Sequence, residues 1–425
     1  MKHIAKLIAA SVLTMQMTGT ALAADVTLDV LYAQPGFAKF HDPIAQAFMK
    51  EHPDIKIKFR APAKDYDEGH LLMQRLAVTN QLPDIYFPGY HLLPELARTL
   101  SKRTQITDLK PFLDAEPESW KTENYSQSML NLGIVDGVKY GMAFNASLPI
   151  IYVNENAVEK AGLDPKEVPS SWDDLLARAK KIHDADPKMA GIGYTIYDWP
   201  DDWLWQTILR QEGTQLVDPE TGKAGFNNEK GLAALKILRR MVTDGGETLL
   251  EFEQARQQFA AGQTAYFVDT PARLAQIIGL VGDRFKLNTM AVPLDDKENG
   301  GFPTGGAAGI ILSQDEAVQK AAWEYLKFAT GPKGQTIVVE TTGYLPTNKL
   351  ANGADYLAPF YEKEPRFKTV ASDIEQARPW EGYPTGSSVR IWRAARDVIA
   401  KVMRGDLTPD DGLPELVKTV DAMTQ

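Results

Sequence analysis

Four aromatic rings and three carboxylates fall within nine residues: Tyr197, Trp199, Trp203 and Trp205 among Asp198, Asp201 and Asp202. An aromatic ring offers a flat apolar face that can cover the C–H face of a sugar, while carboxylates accept hydrogen bonds from its hydroxyls. That is the chemistry a polyhydroxylated ligand needs. Two of the tryptophans could equally anchor a helix to the core, and Trp205 is expected to do so. Other reactive patterns are missing. His41, His52, His70, His91 and His183 do not pair at metal-ligand spacing, there is no HExxH, and each histidine reads as a surface residue. Asp65, Asp67 and Gly69 resemble a calcium loop only loosely, because the glycine stands at the wrong position. The run Gly305 to Gly309 lacks the acid of a dinucleotide fingerprint, and no P-loop or G-x-S-x-G elbow occurs. No metal, cofactor or catalytic residue is expected. Acids are plentiful, and the carboxylate pair of a glycosidase need not be close in sequence, so a secreted glycoside hydrolase is the competing enzyme reading.

These groups need elements to hold them. The stretch from Gly137 to Pro165 reads as a turn, a strand interrupted by Asn145-Ala146-Ser147, a resumed apolar run to Val153 and a short helix closed by Gly162. A buried strand broken by small polar groups in mid-chain suggests a crossover between two lobes, with those groups facing a shared cleft. An ordinary core strand with a polar bulge fits the same pattern. Upstream, Val26–Tyr32, Ile55–Phe59 and Ile85–Phe87 read as strands alternating with amphipathic helices, which predicts a mostly parallel sheet. Ligands on such sheets bind beyond the carboxyl ends of the strands. Here those ends carry Tyr32 and Gln34, then Tyr66, then Gly89 and Tyr90. Downstream, helices are expected at 172–182, 229–243, 253–261 and 317–330. Strands are expected at 192–196, 265–269, 286–292 and, after a Gly-rich loop, 308–312.

At 425 residues the chain is long enough for about two domains. Lys2 and Lys6, an apolar run to Met17 and Ala21-Leu22-Ala23 have the form of an export leader covering residues 1–23. The chain has no cysteine, so it has neither a lipid-anchoring cysteine nor disulfides, which points to the periplasm. A net charge of −10 with no basic run argues against nucleic acid as a partner.

Taken together, EHPDIKIKF, LPDIYF, AFNASLPIIYVNENAVEKAGLDP, SSWDDLLARAKKI, the Gly-Gly pair before Ile310 and TTGYLPTN resemble an extracellular solute-binding protein of a carbohydrate-type ABC importer, in the group of maltose- and glycerol-3-phosphate-binding proteins. The resemblance covers the whole mature chain. It implies an α/β fold of two lobes joined by a hinge. The N-terminal lobe would comprise 25–146 plus 294–342, and the C-terminal lobe 147–293 plus 343–425. It also implies a monomer that hands a small carbohydrate-like solute to a membrane permease with its ATPase. Tyr66, Asn145 to Ser147, a tryptophan within 199–203, Gly305, Gly306 and Tyr344 fall where the glycerol-3-phosphate branch contacts ligand, and Tyr90 stands where that branch has an acid. Its phosphate-binding arginine aligns with Trp392, flanked by Arg390 and Arg393. A neutral sugar, polyol or small glycoside therefore ranks ahead of an anionic sugar derivative or glycerol phosphodiester held by Arg390. The expected contacts are Tyr32, Gln34, Tyr66, Tyr90, Asn145, Ser147, Asp198, Trp199, Trp203, Gly305, Gly306, Tyr344 and Arg390.

Overall fold

The computed structural model describes residues 26–296, 298–383 and 388–424; the expected leader lies outside them. β1 (Val26–Tyr32), β2 (Ile55–Phe59) and β3 (Ile85–Phe87) fall where their β-branched and aromatic runs predict, and β1 pairs in parallel with both others. The helices Ala38–Glu51 and Tyr66–Val78 connect them. A tight hairpin of β4 (Ile134–Val135) and β5 (Val138–Lys139) turns at Asp136 and Gly137, whose φ values of 50° and 83° are those of the primed turns that match strand twist.

β6 (Gly141–Ser147) and β7 (Ile150–Asn154) then enter different sheets, so Leu148-Pro149 is a passage from one lobe to the other. The remaining strands are β8 (Ala190–Tyr194), β9 (Thr264–Asp269), β10 (Leu287–Ala291), β11 (Phe302–Pro303), β12 (Gly305–Ile311) and β13 (Ala377–Arg378). One sheet has the order β2-β1-β3-β12-β6 and the other β10-β7-β9-β8, while β11 and β13 pair in parallel as a small separate ribbon. This is a two-lobed α/β architecture, one sheet to each lobe.

Neither sheet is mostly parallel. β12 runs antiparallel to β3 and β6, and β7 runs antiparallel to β9 and β10; β8 with β9 is the parallel pair of the second sheet. The reason lies in the crossings. A strand that arrives from the other lobe starts at the cleft, where β1 and β3 end, so it enters with reversed direction and is free of the βαβ constraint. A further return follows the helix Pro332–Thr341: Ala275 N donates to Thr342 O on one side, and Leu345 N donates to Ala146 O on the other.

Two local expectations also change. The Gly-rich segment is not all loop, because Gly305 and Gly306 already pair with Ser147 and Ala146, and the register shifts between Ala307 and Ala308. The strand expected at 192–196 ends at Tyr194 and gives way to a 3-10 turn, Thr195–Tyr197, which lifts Asp198 and Trp199 past the sheet edge. Three histidines expected at the surface are buried: His41 and His70 are 2 % exposed and His91 4 %. His41 lies between Tyr32 and Phe144, with ring centroids 4.0 and 5.1 Å away, and burial pushes it down to about 3; a neutral imidazole packs as another flat ring. Trp205 is buried against Phe226, the anchoring role expected of it.

Candidate ligand-binding cleft

A cavity of about 630 Å³ opens between the lobes. From the first sheet and its loops come Gln34, just past β1; Tyr66, the first residue of its helix; Ser147, the last residue of β6; and Gly305 and Gly306, the first of β12. Tyr344 joins them from the returning segment. Facing them are Asp198, Trp199, Asp201 and Trp203, then Phe252 and Arg256, then Thr270 and Arg273 beyond β9, and Trp380, Arg393 and Arg396.

The first wall is backbone held close. A Cβ on Gly305 would stand 2.6 Å from Ser147 Oγ and 2.9 Å from Trp203 Nε1, and one on Gly306, at φ 120°, 2.2 Å from Asn145 O. Only glycine admits both the strand pairing and the indole. Asn145 Oδ1 accepts from Ala307 N at 2.7 Å and so pins the bulge, while Tyr90 Oη donates to Asn145 O at 3.0 Å.

On the second wall the polar edges of the rings are already committed. Trp199 Nε1 and Trp203 N both donate to Asp201 Oδ1, at 3.0 and 3.1 Å. Trp203 Nε1 donates to Pro303 O, and Trp380 Nε1 to Asp202 Oδ1, each at 2.8 Å. Trp380 also stacks on His91 with centroids 3.7 Å apart. Behind the loop, the helix Ser388–Arg404 holds the Trp199 carbonyl: Trp392 Nε1 and Arg396 Nη1 donate to it at 3.1 and 3.0 Å. What Trp199 and Trp203 can offer a solute is therefore ring surface, and their centroids lie 6.3 Å apart at a 31° tilt.

Charge is divided along the cleft. Burial raises the Asp67 carboxyl to about 7, with Asp65 adding to the effect. It lifts Asp201 well above the carboxylate range, reinforced by Asp67 and Asp202, and raises Asp202 as well. His91, in the same cluster, is pushed down to about 4 by burial. Toward the other end, Arg256 Nε is 2.7 Å from Asp269 Oδ2 and its Nη1 2.7 Å from Glu253 Oε1. At the mouth, Arg393 Nη2 lies 3.1 Å from Glu68 Oε1 on the opposite lobe.

Of the residues expected at the site, Gln34, Tyr66, Ser147, Asp198, Trp199, Trp203, Gly305, Gly306 and Tyr344 line this cavity. Tyr32, Tyr90, Asn145 and Arg390 do not. Tyr32 is in the core against His41, and Tyr90 and Asn145 brace the glycine strand from behind. Arg390 is exposed on its helix, whereas Arg393 and Arg396 reach the wall. Wall residues that the sequence reading passed over include Asp65, Asp67, Phe252, Arg256, Arg273 and Trp380. A usable signal existed for Arg273, because the strand-end rule applied to the first sheet points equally to the residues after β9. Among the described residues no cluster of His, Asp or Glu could hold a metal ion, and no helix is long and apolar enough to cross a membrane.

A family profile described as bacterial extracellular solute-binding protein matches residues 43–369. A binding protein of Brucella abortus (strain 2308) is 25 % identical over 355 residues, covering 80 % of each chain. The sn-glycerol-3-phosphate-binding periplasmic protein UgpB of Escherichia coli (strain K12) is 23 % identical over 396 residues, covering 89 % of this chain and 87 % of its own. Among solved structures, UgpB from Mycobacterium tuberculosis in complex with glycerophosphocholine superposes with a TM-score of 0.80 at 20 % identity, covering 93 % of this chain and 98 % of that one. The cyclic α-maltosyl-1,6-maltose binding protein from Arthrobacter globiformis gives 0.77 at 21 %, covering 94 % and 99 %.

Proposed function

The chain belongs to the family of bacterial extracellular solute-binding proteins, and from that premise we propose that it is the periplasmic receptor of an ABC importer, capturing a sugar, polyol or small glycoside between its lobes. The observation that carries this reading is the cavity itself, with glycine backbone and hydroxyls on one wall and the surfaces of Trp199 and Trp203 on the other. Flat rings suit the apolar face of a sugar, and Ser147, Tyr66, Tyr344 and Asp198 suit its hydroxyls.

We take the N-terminal lobe to be 25–146 plus 294–342 and the C-terminal lobe the remainder, with Tyr344, just past that boundary, held to the first wall where Leu345 N donates to Ala146 O. A solute that touches both walls gains contacts in the closed form that the open form cannot make, so binding shifts the hinge equilibrium toward closure. The closed form is then what the permease and its ATPase recognise. Catalysis has no part in this scheme: the solute leaves as it arrived. The test is to extract and identify by mass spectrometry the solute that copurifies from periplasm, then measure small-angle scattering of the emptied monomer with and without it. Stoichiometric binding, a smaller radius of gyration and no turnover are expected. Binding without compaction overturns the receptor mechanism, and turnover would favour the glycosidase.

A further inference from the structure

Of the four arginines that line the cleft, Arg256 and Arg273 come from segments on either side of β9, and they differ in one respect. Arg256 is neutralised by Asp269 and Glu253, each at 2.7 Å. Arg273, the last residue of the 3-10 turn Pro271–Arg273, forms no ion pair with any described residue. Its Nη2 donates to Gln34 Oε1 at 3.2 Å, a neutral acceptor on the opposite lobe, and the guanidinium lies 5.6 Å from the Phe37 ring centroid.

The facing segment comes close to it. A Cβ on Gly36 would stand 3.4 Å from Arg273 Nη1, an ordinary contact distance, and Gln34 holds φ 67°, a left-handed conformation uncommon for a residue with a side chain. Such strain is typical of positions that a binding site over-determines. Lys39, on the same lobe as Gln34, also forms no ion pair among the described residues; burial and the charge of Arg273 push it down to about 8. Two half-buried cations thus oppose each other across the lobe boundary. Asp269 and Glu253 act on Arg273 from farther off, but among the described residues no carboxylate lies within ion-pair distance of either cation; a desolvated charge without a contacting counter-charge is unfavourable, and an anion between them would relieve it.

We propose that Arg273 and Gln34 form a subsite for an anionic oxygen group of the solute, a carboxylate or a phosphoryl group, held between the lobes. The planar guanidinium can offer two parallel N–H donors to such a group, and the Gln34 amide carries a donor as well as the acceptor now in use. The carbohydrate body would lie along Trp199 and Trp203. The solute is then an acidic sugar derivative, which reverses the order drawn from the sequence and rests on the receptor reading above.

Calorimetry of the mature protein tests this with glucose, glucuronate, glucose 6-phosphate, glycerol 3-phosphate and inorganic phosphate at constant ionic strength, on the native chain, Arg273→Gln and Arg273→Lys. At least one anion is expected to bind about tenfold tighter than glucose or better. Arg273→Gln should erase that preference, while Arg273→Lys should keep part of it, since charge remains without the fork. Glucuronate alone would identify a carboxylate subsite, and the phosphate esters a phosphoryl one. Melting temperatures of the unliganded variants confirm that they fold. Glucose binding as tightly as the anions, no anion binding at all, or a preference that survives in Arg273→Gln overturns the subsite. A neutral copurified solute that still compacts the protein overturns the subsite alone and leaves the receptor reading standing.

Discussion

The two walls of the cleft are made of different materials. The first is chain: the ends of β1 and β6 and the start of β12, with Gly305 and Gly306 pressed against Ser147 and Asn145. The second is side chain: indoles, carboxylates and guanidiniums carried on the segments after β8 and β9 and on the helices Phe252–Ala260 and Ser388–Arg404. A wall of paired backbone is fixed by the sheet and can vary little, whereas rings and charges on turns can be exchanged without disturbing a strand. Under the proposed reading, the first wall sets where a solute sits, and the second sets which solute it is.

The hardest blow to that division is to unpair the second wall from within. Arg256 and Asp269 have 2 % and 0 % of their side chains exposed, and removing one partner from such a pair typically costs about 3–5 kcal/mol. Arg256→Ala should show that loss in equilibrium denaturation, and a loss under 1 kcal/mol, roughly the worth of an exposed pair, would mean that the wall tolerates exchange even at its base. On the first wall, Gly306→Ala must fit a methyl 2.2 Å from Asn145 O at φ 120°, which should cost about 3 kcal/mol of stability and displace the bulge. Unchanged denaturation would show that this wall is as pliable as its opposite.

The acids sharpen the contrast through pH. The Asp67 carboxyl is raised to about 7 in the folded chain, against about 4 when unfolded. Between those values the native state holds a proton that the unfolded chain has released. Stability should fall as pH climbs across that window, with a slope of up to about 1.4 kcal/mol per pH unit for this group. Asp67→Asn should flatten that part of the stability profile from pH 4 to 7, and an unaltered slope would assign it elsewhere, Glu247 being another buried acid raised to about 7. Trp199→Ala should weaken binding of the extracted solute by about 1–2 kcal/mol in calorimetry, the worth of a stacked ring. Equal affinity would make that ring a support for Phe252 and Arg256 only. Smallest of all, Arg393→Ala removes an ion pair with Glu68 whose side chains are 50 % and 43 % exposed. It should move the open–closed balance by about 0.5 kcal/mol, and salt should mask the difference in scattering.

What could be read from the sequence follows the same division. β1, β2 and β3 are legible because apolar alternation is a local signal, and the passage at Leu148-Pro149 is legible because small polar residues interrupt a buried run. The mixed strand directions are not, since they depend on β12 returning from the other lobe. Nor does side-chain direction follow from proximity in sequence. Tyr32 closes β1 yet turns into the core against His41, and on one helix Arg390 is away from the cavity while Arg393, one turn on, lines it. Glu253, one turn before Arg256 on its helix, is a local signal, but the buried pairing of Arg256 with Asp269 and the lack of an ion pair at Arg273 are fixed by three-dimensional placement.

The position of β12 has a consequence for how the molecule comes into being. β6 is the edge of its sheet and its neighbour there is β12, so a strand that ends at Ser147 waits for one that begins at Gly305. At about 5–20 residues per second of synthesis that is a wait of roughly ten to thirty seconds. During that interval the first lobe stays incomplete and the chain threadable. For a member of an extracellular family, the same strand order that builds the cleft also postpones folding until most of the polypeptide has been made.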